Sequence, residues 1–479
     1  MIRLGIDVGM HNVHAALADG QSVLAAAQVE AHDDRMRAIA TAITDVLRAA
    51  GSVPAEIGAI VVGTAFASNA LADTPDLGRV AVVRIGGPST AAIRPMAGWP
   101  NRVAERIDAG SVLIDGGFDL SARPIAPLDE RALIDFFSGL ANPTGALAER
   151  VGVAISSTFS EMSPAHELRA RELGRQRLGP ATRIVTSHEI GGVGLIDREN
   201  ATVLNAALMD AMDAFLMSIR LLLEELDLGH AVLACSHNDG SAMVAEYAQG
   251  LPVFTVASAT ATAARGASVL SGRSDGVMVH TSDSEVEVCT ITGGSAAETM
   301  LEASISGVRV RHRSAHAMRL ARPGADGAPV DFSLRLRAAL QEALSQVPRF
   351  ETAFQKDQPV ALVSVGEAHA QFERLLGSLI PGMPTPQHPQ FAESATAIGA
   401  ACAPVHGTAE AIVELGREDS TKLHAQLELR ARRQAIRAGA DPSSIRMLEA
   451  VETPLSYFSE PMARFSVRAV GSLIEAAPA

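Results

Sequence analysis

Cysteine is scarce in this chain, and long apolar runs are absent. Its 479 residues include three distant cysteines without Cys-x-x-Cys spacing, which argues against a disulfide framework or a zinc knuckle; they are Cys235, Cys289 and Cys402. The first ten residues lack an apolar stretch of secretory-signal length. The most apolar later stretch, 214–223, contains Arg220 and is typical of an amphipathic helix. We expect a cytoplasmic protein with no membrane segment and with buried, inert cysteines.

Positive charge is also low. The chain has 40 Lys and Arg residues against 54 Asp and Glu, a net charge of −14, and only Lys356 and Lys422 are lysines. Binding to a phosphate backbone needs a concentrated positive face, so nucleic acid is not an expected partner. Arginine does cluster at Arg430, Arg432 and Arg433, a run that on a helix is typical of a solvated face.

The sequence does contain a regular alternation of apolar strands and helical stretches. Hydrophobic residues make up 47% of the chain, enough to bury a sizeable core. The strongest predicted strands are 2–8, 12–18, 22–29, 57–62, 79–85, 150–157, 183–187, 231–236, 276–280 and 285–291. Predicted helices cover 33–50, 129–140, 164–178, 199–227 and 408–438, and strand-like stretches follow at 445–452 and 464–470. The pattern predicts an α/β fold throughout.

The first strand ends in Asp7-Val8-Gly9. A carboxylate at a strand end beside a tight glycine turn can hold a magnesium-bound phosphate, because backbone amides face the anion while the carboxylate orders the waters of the metal. The alternative is an ordinary strand-end turn of an α/β fold, and this stretch alone leaves both interpretations open.

Nine ordered stretches resemble one known family. They are GIDVG (5–9), GTAFASNAL (63–71), RVAVVRIGGPST (79–90), IAPLDE (125–130), FSEMSPAHE (159–167), SHEIGGVGLIDRENATVLNAAL (187–208), HNDG (237–240), ATAIGAA (395–401) and AGADPSSI (438–445). Together they resemble the hydantoinase A/5-oxoprolinase (N-methylhydantoinase A) family, in particular its shorter bacterial members.

The resemblance implies a two-lobed fold of the actin and sugar-kinase type. Two ribonuclease-H-like lobes would face one another across an ATP and magnesium site, with a small α+β C-terminal extension. The implied domains are 1–180, 181–405 and 406–479. Family enzymes use ATP to phosphorylate the oxygen of a cyclic amide or imide before the ring opens, and some relatives are carboxylase subunits. Many of them work with a hydantoinase B-type subunit.

The nucleotide loops of this chain depart from the family pattern. The family reads Asp-x-Gly-Gly-Thr-x-Thr-Asp at both phosphate loops, whereas the matching stretches here are 7–14 (DVGMHNVH) and 280–287 (HTSDSEVE). The Ser-Gly-Pro motif aligns with Ser258-Ala259-Thr260, a glycine-rich loop with 319–325, and the final Gly-Gly-Gly-Ala with 365–368. Glycine lets the backbone approach phosphate oxygens, so its loss disfavours ATP binding. Asp283, Glu285 and Glu287 are expected to add negative charge there.

The resemblance also implies the site residues. Catalytic roles fall on Asp7, Asn69, Asn200 and Asn238, and cofactor binding falls on Gly9, Asp239, Gly240 and Ser258. Caps, turns and contacts between lobes are the structural alternative for the retained polar residues. No metal ligand is assigned, although histidines and a carboxylate near the cleft leave a transition-metal site open as a hypothesis: His11, His14, His280, Asp283, His312 and His316.

Three functions follow from these observations. The first is a non-catalytic or regulatory subunit of a cyclic-amide hydrolase or carboxylase-type complex, assembled with itself, a hydantoinase A paralogue or a hydantoinase B-type subunit. The second is an active hydrolase that opens a hydantoin, oxoproline or lactam with atypical ATP use or none. The third is a metal-dependent activity based on the cleft histidines.

Overall fold

The structure is a computed structural model of the chain. It describes residues 2–9, 11–31, 34–64, 77–141, 151–192, 194–282, 285–299, 303–310, 314–321, 330–347, 361–366, 386–415, 420–455 and 461–476. Of the predicted site residues, Asn69, Asp283 and His312 lie outside the described residues.

Strands occur along the whole chain. They are β1 (Ile2–Val8), β2 (Asn12–Asp19), β3 (Ser22–Glu30), β4 (Ile57–Thr64), β5 (Arg79–Gly87), β6 (Asp108–Asp115), β7 (Val151–Ser157), β8 (Ile184–Thr186), β9 (Val232–Ser236), β10 (Ala242–Val244), β11 (Gly276–Thr281), β12 (Glu285–Thr292), β13 (Ser295–Ala296), β14 (Glu298–Thr299), β15 (Ala303–Ile305), β16 (Val308–Val310), β17 (Ser314–Ala315), β18 (Ala317–Ala321), β19 (Ala361–Val365), β20 (Val405–Glu414), β21 (Arg446–Leu455) and β22 (Met462–Gly471).

Helices alternate with these strands. They are α1 (Arg35–Ala50), α2 (Asn101–Ile107), α3 (Glu130–Ala141), α4 (Ala165–Leu178), α5 (Ser187–Ile190), α6 (Leu195–Glu225), α7 (Ala245–Gly250), α8 (Ser258–Ser271), α9 (Val330–Gln346), α10 (Ala395–Ala401) and α11 (Ser420–Arg437). Among the described residues, no helix is long and apolar enough to cross a membrane.

The first lobe is a six-stranded sheet with the order β10-β9-β4-β1-β2-β3. Strands β1 to β3 form an antiparallel meander, and β4 and β9 run parallel to β1. This is the ribonuclease-H-like arrangement. The carboxyl ends of β1, β4 and β9 therefore meet at one edge, which is where ligands of open α/β sheets bind. Asp7 lies at this edge, opposite His14 on β2 and Gly63 on β4.

The second lobe repeats the pattern. Strand β12 pairs antiparallel with β11 and β18, and β11 pairs parallel with β19. One face packs on helix α9, where Val277 and Val288 meet Leu336 and Leu340 in one core cluster. The other face packs on α8. The predicted α/β class and the two-lobed actin and sugar-kinase-like architecture are therefore confirmed.

Helices α8 and α10 cross between the lobes at glycines. A Cβ on Gly399 would lie 1.9 Å from the carbonyl oxygen of Thr262, and one on Gly266 would lie 1.8 Å from that of Ala395. Gly5 of β1 approaches α10 equally closely, because its Cβ would lie 1.9 Å from the Ala397 carbonyl oxygen. These glycines allow backbone to pack on backbone, so their role belongs to the fold.

A separate parallel sheet with the order β6-β5-β7-β8 carries helices α3 and α4. Its strands follow the prediction for residues 79–85, 150–157 and 183–187. The chain then returns to the first lobe through β9 and β10. The domain boundaries at 180 and 405 stay predictions.

The C-terminal part is an antiparallel sheet, β20-β22-β21, packed on helix α11. The single helix predicted over 408–438 is wrong, because β20 extends to Glu414 and the helix begins at Ser420. Alternating burial at Val405, Gly407 and Ala409 reveals the strand. Alanine and glutamate favour helices, and here pairing with β22 overrides that preference.

Candidate functional site

The carboxyl edge of the first lobe brings together several polar groups. A Cβ on Gly63 would lie 3.7 Å from the Oδ1 atom of Asp7 and 3.3 Å from the Oγ atom of Ser236, so these two side chains flank Gly63. Ser236 is 1% exposed, and its hydroxyl has no hydrogen-bond partner in the described part of the chain. Buried polar atoms without partners are rare in proteins, which marks this edge as a candidate site.

Asn238 follows β9 at the same edge. Its backbone amide donates to the carbonyl oxygen of Phe254 at 2.7 Å, which fixes the turn. Its side chain is buried, and neither amide atom finds a hydrogen-bond partner among the described residues. The structure thus brings two residues predicted to be catalytic, Asp7 and Asn238, to one edge of one sheet. Their catalytic role stays a prediction.

The next residues of the turn connect to other parts of the fold. The Asp239 carboxylate lies 2.9 Å from the Nδ1 atoms of both His237 and His406, and it accepts hydrogen bonds from Ser241. Burial alone would raise the pKa of Asp239, but the two histidines outweigh it and hold that pKa well below its usual range. Gly240 has a left-handed φ of 77° and packs against helix α8. The predicted cofactor-binding roles of Asp239 and Gly240 stay predictions beside these structural contacts.

Asn200 lies on helix α6, and both atoms of its side-chain amide are hydrogen-bonded. Its side-chain oxygen accepts a hydrogen bond from the indole of Trp99 at 3.0 Å, and its nitrogen donates to the carbonyl oxygen of Arg309 at 2.7 Å. Asn205 on the same helix bonds in the same way to Gly250 and Val253. These contacts join Asn200 to Trp99 and Arg309, and its predicted catalytic role stays a prediction.

Two predicted cofactor-binding residues lie at turns. The Gly9 amide donates to the carbonyl oxygen of Asn12 at 2.9 Å and closes the β1–β2 turn. Ser258 is the first residue of α8, and Ala257 before it has a left-handed φ of 57°. Glycine adopts that conformation most easily, and proline is favoured at the first helical position. The predicted cofactor-binding roles of Gly9 and Ser258 stay predictions.

The second hairpin, β11–β12, carries an ion-pair network in which protein groups satisfy the Glu287 carboxylate. The Glu287 carboxylate accepts hydrogen bonds from Arg319 Nε at 2.7 Å and Thr260 Oγ1 at 3.0 Å, and it lies 3.3 Å from His280 Nδ1. Burial alone would raise the pKa of Glu287, but His280 and Arg319 lower it to about 2. Glu287 therefore carries the expected negative charge, and that charge is paired with Arg319. Arg319 also lies in strand β18, so the glycine-rich loop cannot begin there.

The cleft histidines bind other partners. On the first hairpin, His14 Nδ1 lies 3.2 Å from the hydroxyl of Ser394. On the second hairpin, His280 faces Glu287. Within the described ranges, no three His, Cys, Asp or Glu side chains converge as a metal site would require. All three cysteines are buried, and burial raises the pKa of Cys235 and Cys289 to about 12 and that of Cys402 to about 11.

A cavity of about 410 Å³ lies beside the Asn238 turn, between α5 and the C-terminal sheet and helix. His188 borders it, and the Nδ1 atom of this histidine lies 2.6 Å from the fully buried carboxylate of Glu167. The same carboxylate accepts the His188 amide at 2.9 Å and the Ser187 hydroxyl. A buried carboxylate on one imidazole nitrogen fixes the ring and leaves the other nitrogen for proton transfer.

The C-terminal part supplies arginines to the same cavity. Arg430, Arg433 and Arg437 project from α11, and Arg464 lies on β22. Arg430 and Arg433 are solvent-exposed, as the sequence interpretation of this arginine run as a solvated face predicts, and they also border the cavity, which no sequence pattern indicated. His406, which contacts Asp239 across 167 residues, was also missed, because no local pattern signals such a contact.

Comparison with known proteins agrees with this architecture. The hydantoinase/oxoprolinase N-terminal region family matches residues 3–178. Caprolactamase subunit alpha of Pseudomonas jessenii is 29% identical over 249 residues, which are 47% of this chain and 34% of that protein. The match thus spans about one third of that relative's length.

Two solved structures share the fold. The ATP-dependent caprolactamase from Pseudomonas jessenii has a TM-score of 0.72 at 17% identity, covering 98% of this chain and 87% of that chain. Nucleotide-free acetone carboxylase has a TM-score of 0.64 at 11% identity, covering 99% and 88%. At such identities the structural likeness shows the fold alone. The match of residues 3–178 to the hydantoinase/oxoprolinase N-terminal region family and the similarity to caprolactamase subunit alpha support the family resemblance seen in the sequence, which they show for the N-terminal part of the chain.

Proposed function

We propose that this chain is a non-catalytic or regulatory subunit of an assembly of the cyclic-amide hydrolase or carboxylase class, and that it does not hydrolyse ATP in the manner of its family. The similarity to caprolactamase subunit alpha supports the assembly. A hydantoinase A paralogue or a hydantoinase B-type protein is the proposed partner.

The network around Glu287 carries this proposal. At the position where the family has the first carboxylate of its second phosphate loop, this chain has His280, which faces Glu287 at 3.3 Å. Magnesium prefers oxygen ligands and their ordered waters, so an imidazole is a poor replacement. Glu287 in turn bonds Arg319 and Thr260. At the first position of the loop, the first hairpin has a carboxylate, Asp7, and the second hairpin has an imidazole, His280. The residues of the second hairpin therefore do not fit magnesium ATP.

Calorimetry with the full chain tests the nucleotide half of the proposal. We expect no binding of magnesium ATP with a dissociation constant below about 100 μM, while an ATP-dependent caprolactamase serves as the positive control. A nanomolar or low-micromolar constant for this chain would refute the proposal.

Purification from the native host tests the assembly half. We expect the tagged chain to retain a hydantoinase A paralogue or a hydantoinase B-type protein, identified by mass spectrometry, in a stoichiometric complex at physiological salt. A monomer that carries neither protein contradicts the proposed role as a subunit.

An active cyclic-amide hydrolase is the second candidate. The observation that favours it is the first-lobe edge, where Asp7 lies near the unpartnered groups of Ser236 and Asn238. It predicts that the chain or its complex opens a hydantoin, 5-oxoproline or a lactam, and that Asp7→Asn abolishes turnover. Absence of turnover from both the chain and its complex eliminates this candidate.

A further inference from the structure

The cavity beside Asn238 combines a cationic side with an apolar side. Its cationic side comes from α11, and its apolar side includes Leu251, Phe254 and Ile412. Its volume of about 410 Å³ lies within the range of small-molecule sites, which are about 300–1,000 Å³. We propose that this cavity binds a small organic acid, whose carboxylate is held by Arg430, Arg433 and Arg437.

The pairing of charges around the cavity supports an anionic ligand. Each carboxylate on its wall already has a cationic partner: Glu161 with Arg198, Glu189 with Arg171, Asp239 with two histidines, and Glu410 with Arg464. Arg430, Arg433 and Arg437, by contrast, have no carboxylate within ion-pair distance in the part of the chain that the structure describes. The Arg437 guanidinium lies 6.0 Å from the centre of the aromatic ring of Tyr247, a contact that stabilises its charge.

A second, independent observation comes from Asn238. This residue borders the cavity, is 1% exposed, and has neither amide atom hydrogen-bonded within the described residues. An amide buried without partners costs free energy that a bound polar ligand can recover. The site therefore combines unpaired cations with an unsatisfied amide, as a binding site for an oxygen-rich anion requires.

The apolar side of the cavity favours an organic acid over inorganic phosphate. Arginine binds carboxylate and phosphate alike through its planar fork of N–H donors. A free phosphate would leave Leu251 and Phe254 against water, whereas the hydrocarbon part of an organic acid would cover them. His188, fixed by Glu167, faces the same space and gives the site a group that can exchange a proton with the ligand.

Calorimetry with three probes tests the proposal on the full chain. We expect glutarate to bind saturably, its neutral diamide glutaramide not to bind, and inorganic phosphate to bind more weakly than glutarate. The double variant Arg430→Gln/Arg433→Gln should weaken glutarate binding by roughly tenfold or more, because it removes two charge-assisted contacts. Single Arg433→Gln should give a smaller loss in the same direction.

Arg432→Gln is the matched control. Arg432 lies on the same helix but donates to the carbonyl oxygen of Pro442 and does not border the cavity. Its substitution should leave glutarate affinity unchanged, and circular dichroism verifies the fold of every variant. Equal affinity for glutarate and glutaramide, tighter binding of phosphate, or no saturation below about 10 mM glutarate would each overturn the proposal. None of these results depends on whether the chain binds ATP.

Discussion

The two hairpins that face the cleft carry the same pair of residue types in mirrored positions, in different surroundings. On the first, Asp7 stands opposite His14; on the second, His280 stands opposite Glu287. Each hairpin thus pairs one carboxylate with one imidazole, and the carboxylates occupy opposite strands of the two hairpins.

The surroundings of the two hairpins differ more than the hairpins themselves. Around Glu287, every partner is protein: His280, Arg319 and Thr260 satisfy the carboxylate. Around Asp7, Ser236 and Asn238 keep polar atoms that no described residue satisfies. The second hairpin thus satisfies its carboxylate within the described protein, while the edge of the first lobe keeps polar groups that a ligand could satisfy.

The largest expected effect concerns the glycine behind the second hairpin. Gly366 has a left-handed φ of 96°, and a Cβ there would lie 2.4 Å from the carbonyl oxygen of Thr281. Gly366→Ala should lower the free energy of unfolding by about 3 kcal/mol, through backbone strain and a backbone clash. Gly9→Ala on the first hairpin is the comparison: its Cβ would lie 2.9 Å from the Asn12 carbonyl oxygen, and we expect about 1 kcal/mol. Urea denaturation of both variants measures the difference, and equal losses would contradict it.

The Glu287 network should make stability depend on pH. Folding lowers the pKa of Glu287 from the ordinary 4.5 to about 2, which corresponds to about 3 kcal/mol of stability at most. Because this pKa is depressed by folding, the stabilisation is fully present above about pH 4.5 and is lost as the pH falls toward 2. Glu287→Gln should destabilise the chain at pH 7 and converge with the parent protein in acid.

The exposed Glu285 on the same strand provides the control for this pH effect. Glu285→Gln should cost less stability at pH 7 than Glu287→Gln does, as measured by denaturant unfolding between pH 3 and pH 7. If Glu287→Gln and the parent protein lose stability in parallel, the network does not hold the Glu287 carboxylate in its charged form.

A smaller effect should come from the hydroxyl that completes the network. Thr260 Oγ1 donates to Glu287 at 3.0 Å from a side chain that is 2% exposed. Thr260→Val keeps the shape and removes the donor, so we expect a loss of about 1–2 kcal/mol in the free energy of unfolding. Thr44→Val, at an exposed helix position whose hydroxyl bonds only its own helix, is the control and should change stability by less than about 0.5 kcal/mol. An equal change in stability in the two variants would show that the Thr260 hydroxyl does not stabilise Glu287.

The sequence predicted the local elements well and the long-range contacts poorly. Apolar runs bounded by glycine or Asp-Gly turns identified β1 to β4 within a few residues. Strand β20 was mistaken for helix because its alanines and glutamates are common in helices, and only pairing with β22 decides the outcome. The family resemblance, and not a local pattern, predicted Asp7 and Asn238 as site residues. Glu167, His406 and Arg464 reach the cavity from distant parts of the chain, and no spacing pattern reveals such contacts.

The smallest predicted effect is also the most direct test of the difference between the lobes. Ser236→Ala removes a buried hydroxyl that has no partner among the described residues, so the loss of its desolvation cost should offset the lost contacts. We expect a change of at most about 0.5 kcal/mol, and in the stabilising direction, measured by the same urea denaturation as Thr260→Val. A hydroxyl of the second lobe then stabilises the fold, while the hydroxyl at the first-lobe edge does not. If Ser236→Ala instead lowers the free energy of unfolding as much as Thr260→Val does, the Ser236 hydroxyl is hydrogen-bonded within the protein. The polar groups in this part of the first-lobe edge are then satisfied internally, like those around Glu287.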